Sequence, residues 1–124
     1  MLRKMLGVPS EPSRDPDVIT GTAASPGTAQ GPAKVVHNLS EASKVLPGDV
    51  LVCELTMPAW TPLFSTVSAV VADTGGILSH SAIVAREYRL PCVVGTAVGT
   101  SAIKDGMLLT VDGAKGIVRI DSRV

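Results

Sequence analysis

The chain has 124 residues, room for one domain with one core; 45% of them are hydrophobic but Phe, Tyr and Trp contribute one each, so Val, Leu, Ile and Ala must pack that core. Eleven Lys and Arg balance eleven Asp and Glu, which argues against nucleic acid or an anionic membrane as a partner because no basic field is left to bind either. Cys53 and Cys92 form no C-x-x-C pair and read as buried reduced thiols, and the lack of an apolar run long enough for a signal peptide or a membrane span implies an intracellular, cytoplasmic protein.

Residues 1–17 hold Pro9, Pro12 and Pro16 among Ser, Glu, Arg and Asp. That mixture resists helix and sheet alike, so a flexible linker or tail is expected ahead of one domain over residues 18–124. Residues 18–22 begin a first strand, Ser25-Pro26-Gly27 supplies a turn, and Gly31-Pro32 ends that excursion. Residues 33–37 read as a strand, and residues 40–46 as a short helix capped by Ser40 and stopped by Pro47-Gly48. Within 49–55 the run Val50-Leu51-Val52 has the pattern of a strand covered on both faces. Thr61 then offers an N-cap and Pro62 a first helical position for a helix to about residue 67.

Residues 69–72 form another apolar strand, ending at Asp73-Thr74-Gly75-Gly76. A helix from 80 to 89 follows, closed by Pro91, and residues 92–95 give a third buried strand. Strand, helix and strand over 69–95 make a βαβ unit with parallel strands and a right-handed crossover. Residues 108–111 and 117–120 flank a glycine-bearing loop as a β-hairpin.

The chemistry concentrates at the carboxyl end of the 69–72 strand, where ligands gather in α/β sheets. With Ser79 as N-cap, His80 takes the first helical position, beside backbone N–H groups that lack intrahelical partners. Those groups and the helix dipole favour a bound phosphate, and a neutral imidazole is a nucleophile that can carry one covalently. Gly75 and Gly76 permit close backbone approach, and Thr74, Ser79 and Ser81 are placed to touch the imidazole or its phosphate. Arg86 lies six residues on, roughly 9 Å along the helix and on another face, which suits a structural ion pair with Asp73 or another carboxylate. Local chemistry alone leaves two readings open: a phosphate carrier, or the polar cap of an ordinary tight turn. His37 is assigned to the surface or a strand edge, and Trp60 to packing.

On these residues the sequence resembles the phosphohistidine swivelling (mobile) domain of the phosphoenolpyruvate (PEP)-utilising enzymes. That family includes pyruvate phosphate dikinase, PEP synthase, Enzyme I of the sugar phosphotransferase system and the rifampicin phosphotransferases. Ala24-Ser25-Pro26-Gly27 and Gly31-Pro32-Ala33 resemble its opening, Gly48-Asp49-Val50-Leu51-Val52 its central strand, and the stretch from Gly75-Gly76 through His80 to Arg86 its signature. Leu90-Pro91-Cys92-Val93-Val94-Gly95 and the segment from Asp105-Gly106 to Gly116 look like its closing parts. Met57-Pro58-Ala59-Trp60-Thr61-Pro62-Leu63-Phe64 is most similar to the synthase and rifampicin phosphotransferase branches.

The resemblance implies a compact α/β domain of β/β/α build whose His80 is transiently phosphorylated on Nε2. Its partners are then an ATP-grasp nucleotide-binding domain and a second domain for PEP, pyruvate or another acceptor, in cis or in trans. ATP with Mg2+, PEP or both are expected on those partners, and no cofactor or metal on this domain alone. Nothing in the chain resembles either partner, so by itself it is expected to carry phosphate rather than turn over substrate. Many members have threonine two residues before the histidine, a regulatory phosphorylation site in plant-type dikinases; Leu78 stands there and excludes that control. The alternative from a different class is a non-catalytic regulatory or interaction module that keeps the swivelling fold.

Overall fold

In the computed structural model, which describes residues 15–123, the apolar runs become strands whose alternate side chains serve two different cores. The strands are β1 (Val18–Thr20), β2 (Thr22–Ser25), β3 (Thr28–Val36), β4 (Val50–Cys53), β5 (Ala69–Ala72), β6 (Cys92–Val94), β7 (Leu108–Asp112) and β8 (Ile117–Ser122). Helices α1 (His80–Glu87) and α2 (Gly99–Ala102) follow β5 and β6. Two 3-10 helices, Leu39–Lys44 and Pro58–Ser65, follow β3 and β4.

The eight strands form one mixed sheet in the order β1-β8-β7-β3-β4-β5-β6-β2. Strands β3 to β6 pair in parallel, with Val50 opposite Ala69 and Val70 opposite Cys92, and the remaining pairs are antiparallel. The two edge strands, β1 and β2, are one chain segment broken only at Gly21. A Cβ on Gly21 would sit 2.5 Å from the Val94 carbonyl oxygen, so only glycine fits where the chain passes from one edge strand to the other.

Alternation then sorts the side chains. Val50, Val52, Ala69, Val71 and Val93 face inward and pack with Ile19, Ile103, Leu109, Val111, Val118 and Ile120. Leu51, Cys53, Val70, Ala72, Cys92 and Val94 face the other way, against Trp60, Phe64 and Val67 and against Ala82 and Ala85 of α1. The result is a small mixed α/β domain, as expected, with the βαβ unit β5-α1-β6 in place and β7-β8 as the foreseen hairpin.

Several local expectations are corrected. Gly31-Pro32 does not end a strand; both residues lie inside β3. At that point β3 changes neighbours, from β7 over 28–32 to β4 over 33–36, and the missing N–H of Pro32 falls at the junction of the two ladders. The helix assigned to 40–46 is the 3-10 helix Leu39–Lys44, capped by Asn38, whose side chain accepts from the Ser40 N–H at 3.1 Å. The Thr61 cap is also displaced, because Pro58 takes the first position and Pro62 lies within the 3-10 helix, where Trp60 and Phe64 are buried. Helix α1 stops two residues early, at Glu87, with Arg89 at φ 59 in the left-handed turn that follows. Strand β2 and helix α2 were not foreseen. Of the expected linker, residues 1–14 lie outside the described residues; Asp17 accepts from Arg123 Nε at 2.9 Å, and its carbonyl from the Ile120 N–H at 2.7 Å.

Candidate functional site

The 73–79 connection leaves β5 at the carboxyl edge of the parallel strands and turns sharply into α1. Gly75 adopts φ +103, and a Cβ there would lie 2.8 Å from that of Ser79, so this position demands glycine. Gly76 faces open space. Ser79 closes the turn by donating its hydroxyl to the Gly76 carbonyl at 2.7 Å, and caps α1 by accepting from the Ala82 N–H at 3.3 Å. Thr74 is tied sideways instead, its hydroxyl donating to the Glu54 carbonyl at 3.0 Å.

His80 is therefore the first residue of α1, as expected, with its own N–H and that of Ser81 left without helical acceptors. Its half-buried ring meets the edge of Phe64 at 6.3 Å between centroids and 86° between planes. Nδ1 lies 2.9 Å from the Thr56 hydroxyl, which in turn lies 2.6 Å from the Ser81 hydroxyl. Nε2 makes no hydrogen bond among the described residues. The ring is thus held by one nitrogen and presents the other.

Thr56 was missed in the sequence. It lies three residues after the last residue of β4, beyond the carboxyl end of the strand beside β5, where a polar side chain has a view of the loop. Of the residues singled out beside His80, Ser81 is buried and meets the ring only through Thr56, while Ser79, Gly75 and Gly76 build the turn.

Arg86 has no carboxylate partner among the described residues. Its guanidinium donates to the Ala24 carbonyl at 2.7 Å and to the Ile77 carbonyl at 2.5 Å, joining β2 to the glycine loop. Asp73, its expected partner, accepts from the Thr100 N–H at 3.0 Å and from the Thr100 and Thr96 hydroxyls, and so caps α2 from a distance. Cys53 and Cys92 are both buried; desolvation pushes the Cys92 thiol up to about 12 and raises that of Cys53 far above its ordinary value, which leaves neither as a nucleophile. Around the histidine, Leu78 is 81% exposed, and Ile77, Ile83 and Met57 are exposed as well.

A mixed eight-stranded sheet with a histidine opening its crossover helix defines the class, a small α/β domain built around one presented imidazole. The chain belongs to the family of the PEP-utilising enzyme mobile (phosphohistidine) domain, whose model matches residues 45–116. It is 50% identical over 117 residues to the chondramide synthase cmdD of Chondromyces crocatus, covering 94% of this chain and 3% of that protein. It is 50% identical over 102 residues to the PEP synthase of Aeropyrum pernix, covering 82% of this chain and 12% of that one. The solution structure of Enzyme I (nEIt) superposes with a TM-score of 0.57 at 35% identity, over 64% of this chain and 33% of that chain. The chain thus spans a small part of the curated relatives that it matches.

Proposed function

We propose that this domain is a phosphoryl carrier that is transiently phosphorylated on Nε2 of His80. The observation that carries the reading is the ring itself: Nδ1 is engaged by Thr56, and Nε2 is open at the N-terminus of α1. In loading, the bond from Nε2 to phosphorus forms as the P–O bond of the donor breaks, the ring proton passes to the departing donor oxygen, and Nδ1 keeps its lone pair toward Thr56. The dianionic group then lies near the free N–H groups and positive end of the helix. Unloading is the reverse, with an acceptor oxygen displacing the imidazole.

The donor and acceptor sites belong to other domains. Likeness to a PEP synthase, of which this domain matches a small share, supports an ATP-grasp domain with ATP and Mg2+ on one side and a PEP or pyruvate domain on the other. Those soluble substrates fit a cytoplasmic setting. The exposed apolar residues Leu78, Ile77, Ile83 and Met57 suit docking that keeps water from the transfer. The test mixes the chain with a donor enzyme of this family and labelled ATP or PEP. Acid-labile phosphate is expected on the parent and none on His80→Ala; label that persists in His80→Ala contradicts the assignment.

A further inference from the structure

The Nδ1 side of the ring carries a feature that a single hydroxyl does not explain. Thr56 and Ser81 are 5% and 3% exposed, so water does not complete their hydrogen bonds, and each must be satisfied by the other and by the ring. Two hydroxyl hydrogens can order this chain in either of two directions. If Nδ1 donated to Thr56 and Thr56 to Ser81, the Ser81 hydrogen would be buried without an acceptor, for Ser81 makes no other side-chain hydrogen bond among the described residues. In the opposite direction both buried hydroxyl hydrogens are used: Ser81 donates to Thr56, Thr56 donates to Nδ1, and the ring hydrogen of the neutral imidazole stands on the open Nε2, from which it is lost as phosphate is taken up.

Taking His80 as the phosphorylated residue, we propose that Ser81 and Thr56 form a buried relay that donates to Nδ1 and thereby prolongs the life of the phosphate on Nε2. Thr56 is the immediate donor, and Ser81 is a positioning residue that acts through it. Such a phosphate is lost to water when Nδ1 gains a proton. Water attacks phosphorus, the N–P bond breaks, and the ring leaves as neutral imidazole with inorganic phosphate as the other product. A hydroxyl already donating to the Nδ1 lone pair competes with that proton, and the second hydroxyl polarises and orients the first. A loaded domain that has to travel between two sites needs this protection.

Two measurements test the relay, both in the His37→Gln background, which leaves one imidazole in the chain. Long-range 1H–15N NMR of the neutral, unphosphorylated ring is expected to show the hydrogen on Nε2 and Nδ1 as acceptor. Ser81→Ala is expected to raise the share with hydrogen on Nδ1, and Ser81→Thr to restore the parent pattern. The chain is then phosphorylated with phosphoramidate, and the decay of phosphohistidine is followed by 31P NMR at neutral pH. Ser81→Ala is expected to shorten the half-life about fivefold, the factor set by one neutral hydrogen bond, and Thr56→Val to shorten it more, while Ser81→Thr stays within about twofold of the parent. Hydrogen on Nδ1 in the parent, or equal half-lives for parent and Ser81→Ala, overturns the proposal. The tautomer is read without phosphate, so failure of His80 to accept phosphate would count against the carrier reading while the ring nitrogens still judge the relay.

Discussion

The chain's two histidines both stand beyond the carboxyl ends of parallel strands, His37 after β3 and His80 beyond β5, yet they are prepared very differently. His37 follows the strand directly and is exposed. Its main-chain N–H donates to the Glu41 carboxylate at 2.7 Å, a contact that holds that carboxyl below its usual range, but its ring makes no hydrogen bond among the described residues. His80 is delivered by a glycine turn to the first position of a helix, wedged against Phe64 and fixed at Nδ1 by a hydroxyl from the end of β4. Strand-end placement brings an imidazole to the edge where ligands gather. A fixed nitrogen and a helix start set His80 apart and fit it to the carrier role proposed above.

That contrast can be broken most sharply by exchanging the two residues' fates. His37→Ala is expected to take up phosphate like the parent, whereas His80→Ala takes up none; equal uptake by the two variants would erase the distinction. The turn beneath His80 comes next. Gly75→Ala forces an alanine into φ +103 against Ser79 and is expected to cost about 2 kcal/mol in urea unfolding. Gly76→Ala enters open space and should stay within about 0.5 kcal/mol of the parent. Similar costs for both would mean that the loop is not held as described. The caps give the smallest effects: Ser79→Ala is expected to lower stability by about 1 kcal/mol, and Asn38→Ala, which caps the exposed 3-10 helix behind His37, by about half of that. A reversed order would show that the His80 helix start is the weaker of the two.

What could be read from the sequence was local. Val50-Leu51-Val52 and Ala69-Val70-Val71-Ala72 announce buried strands because each run is bounded by turn residues, and Ser79 announces a helix start because its side chain serves an N–H three residues on. What escaped depends on distant partners. Thr22-Ala23-Ala24-Ser25 has little strand character of its own and is a strand because β6 pairs with it. The short α2 is capped by Asp73, 27 residues before Thr100. Pro32 survives inside β3 because the strand changes neighbours there. Thr56 gave no periodic or spacing signal, and its bond to His80 spans 24 residues of chain. The histidine was legible and its orienting hydroxyl was not, since one is marked by a motif and the other only by where two parallel strands end.

The most direct test of the central claim is the atom to which phosphate attaches. With the chain labelled by 15N and loaded by a donor enzyme, the phosphorus–nitrogen coupling identifies the bonded ring nitrogen. Phosphate on Nε2 of His80, with Nδ1 unsubstituted, is the predicted result. Phosphate on Nδ1 of His80, on His37 or on a serine would contradict it.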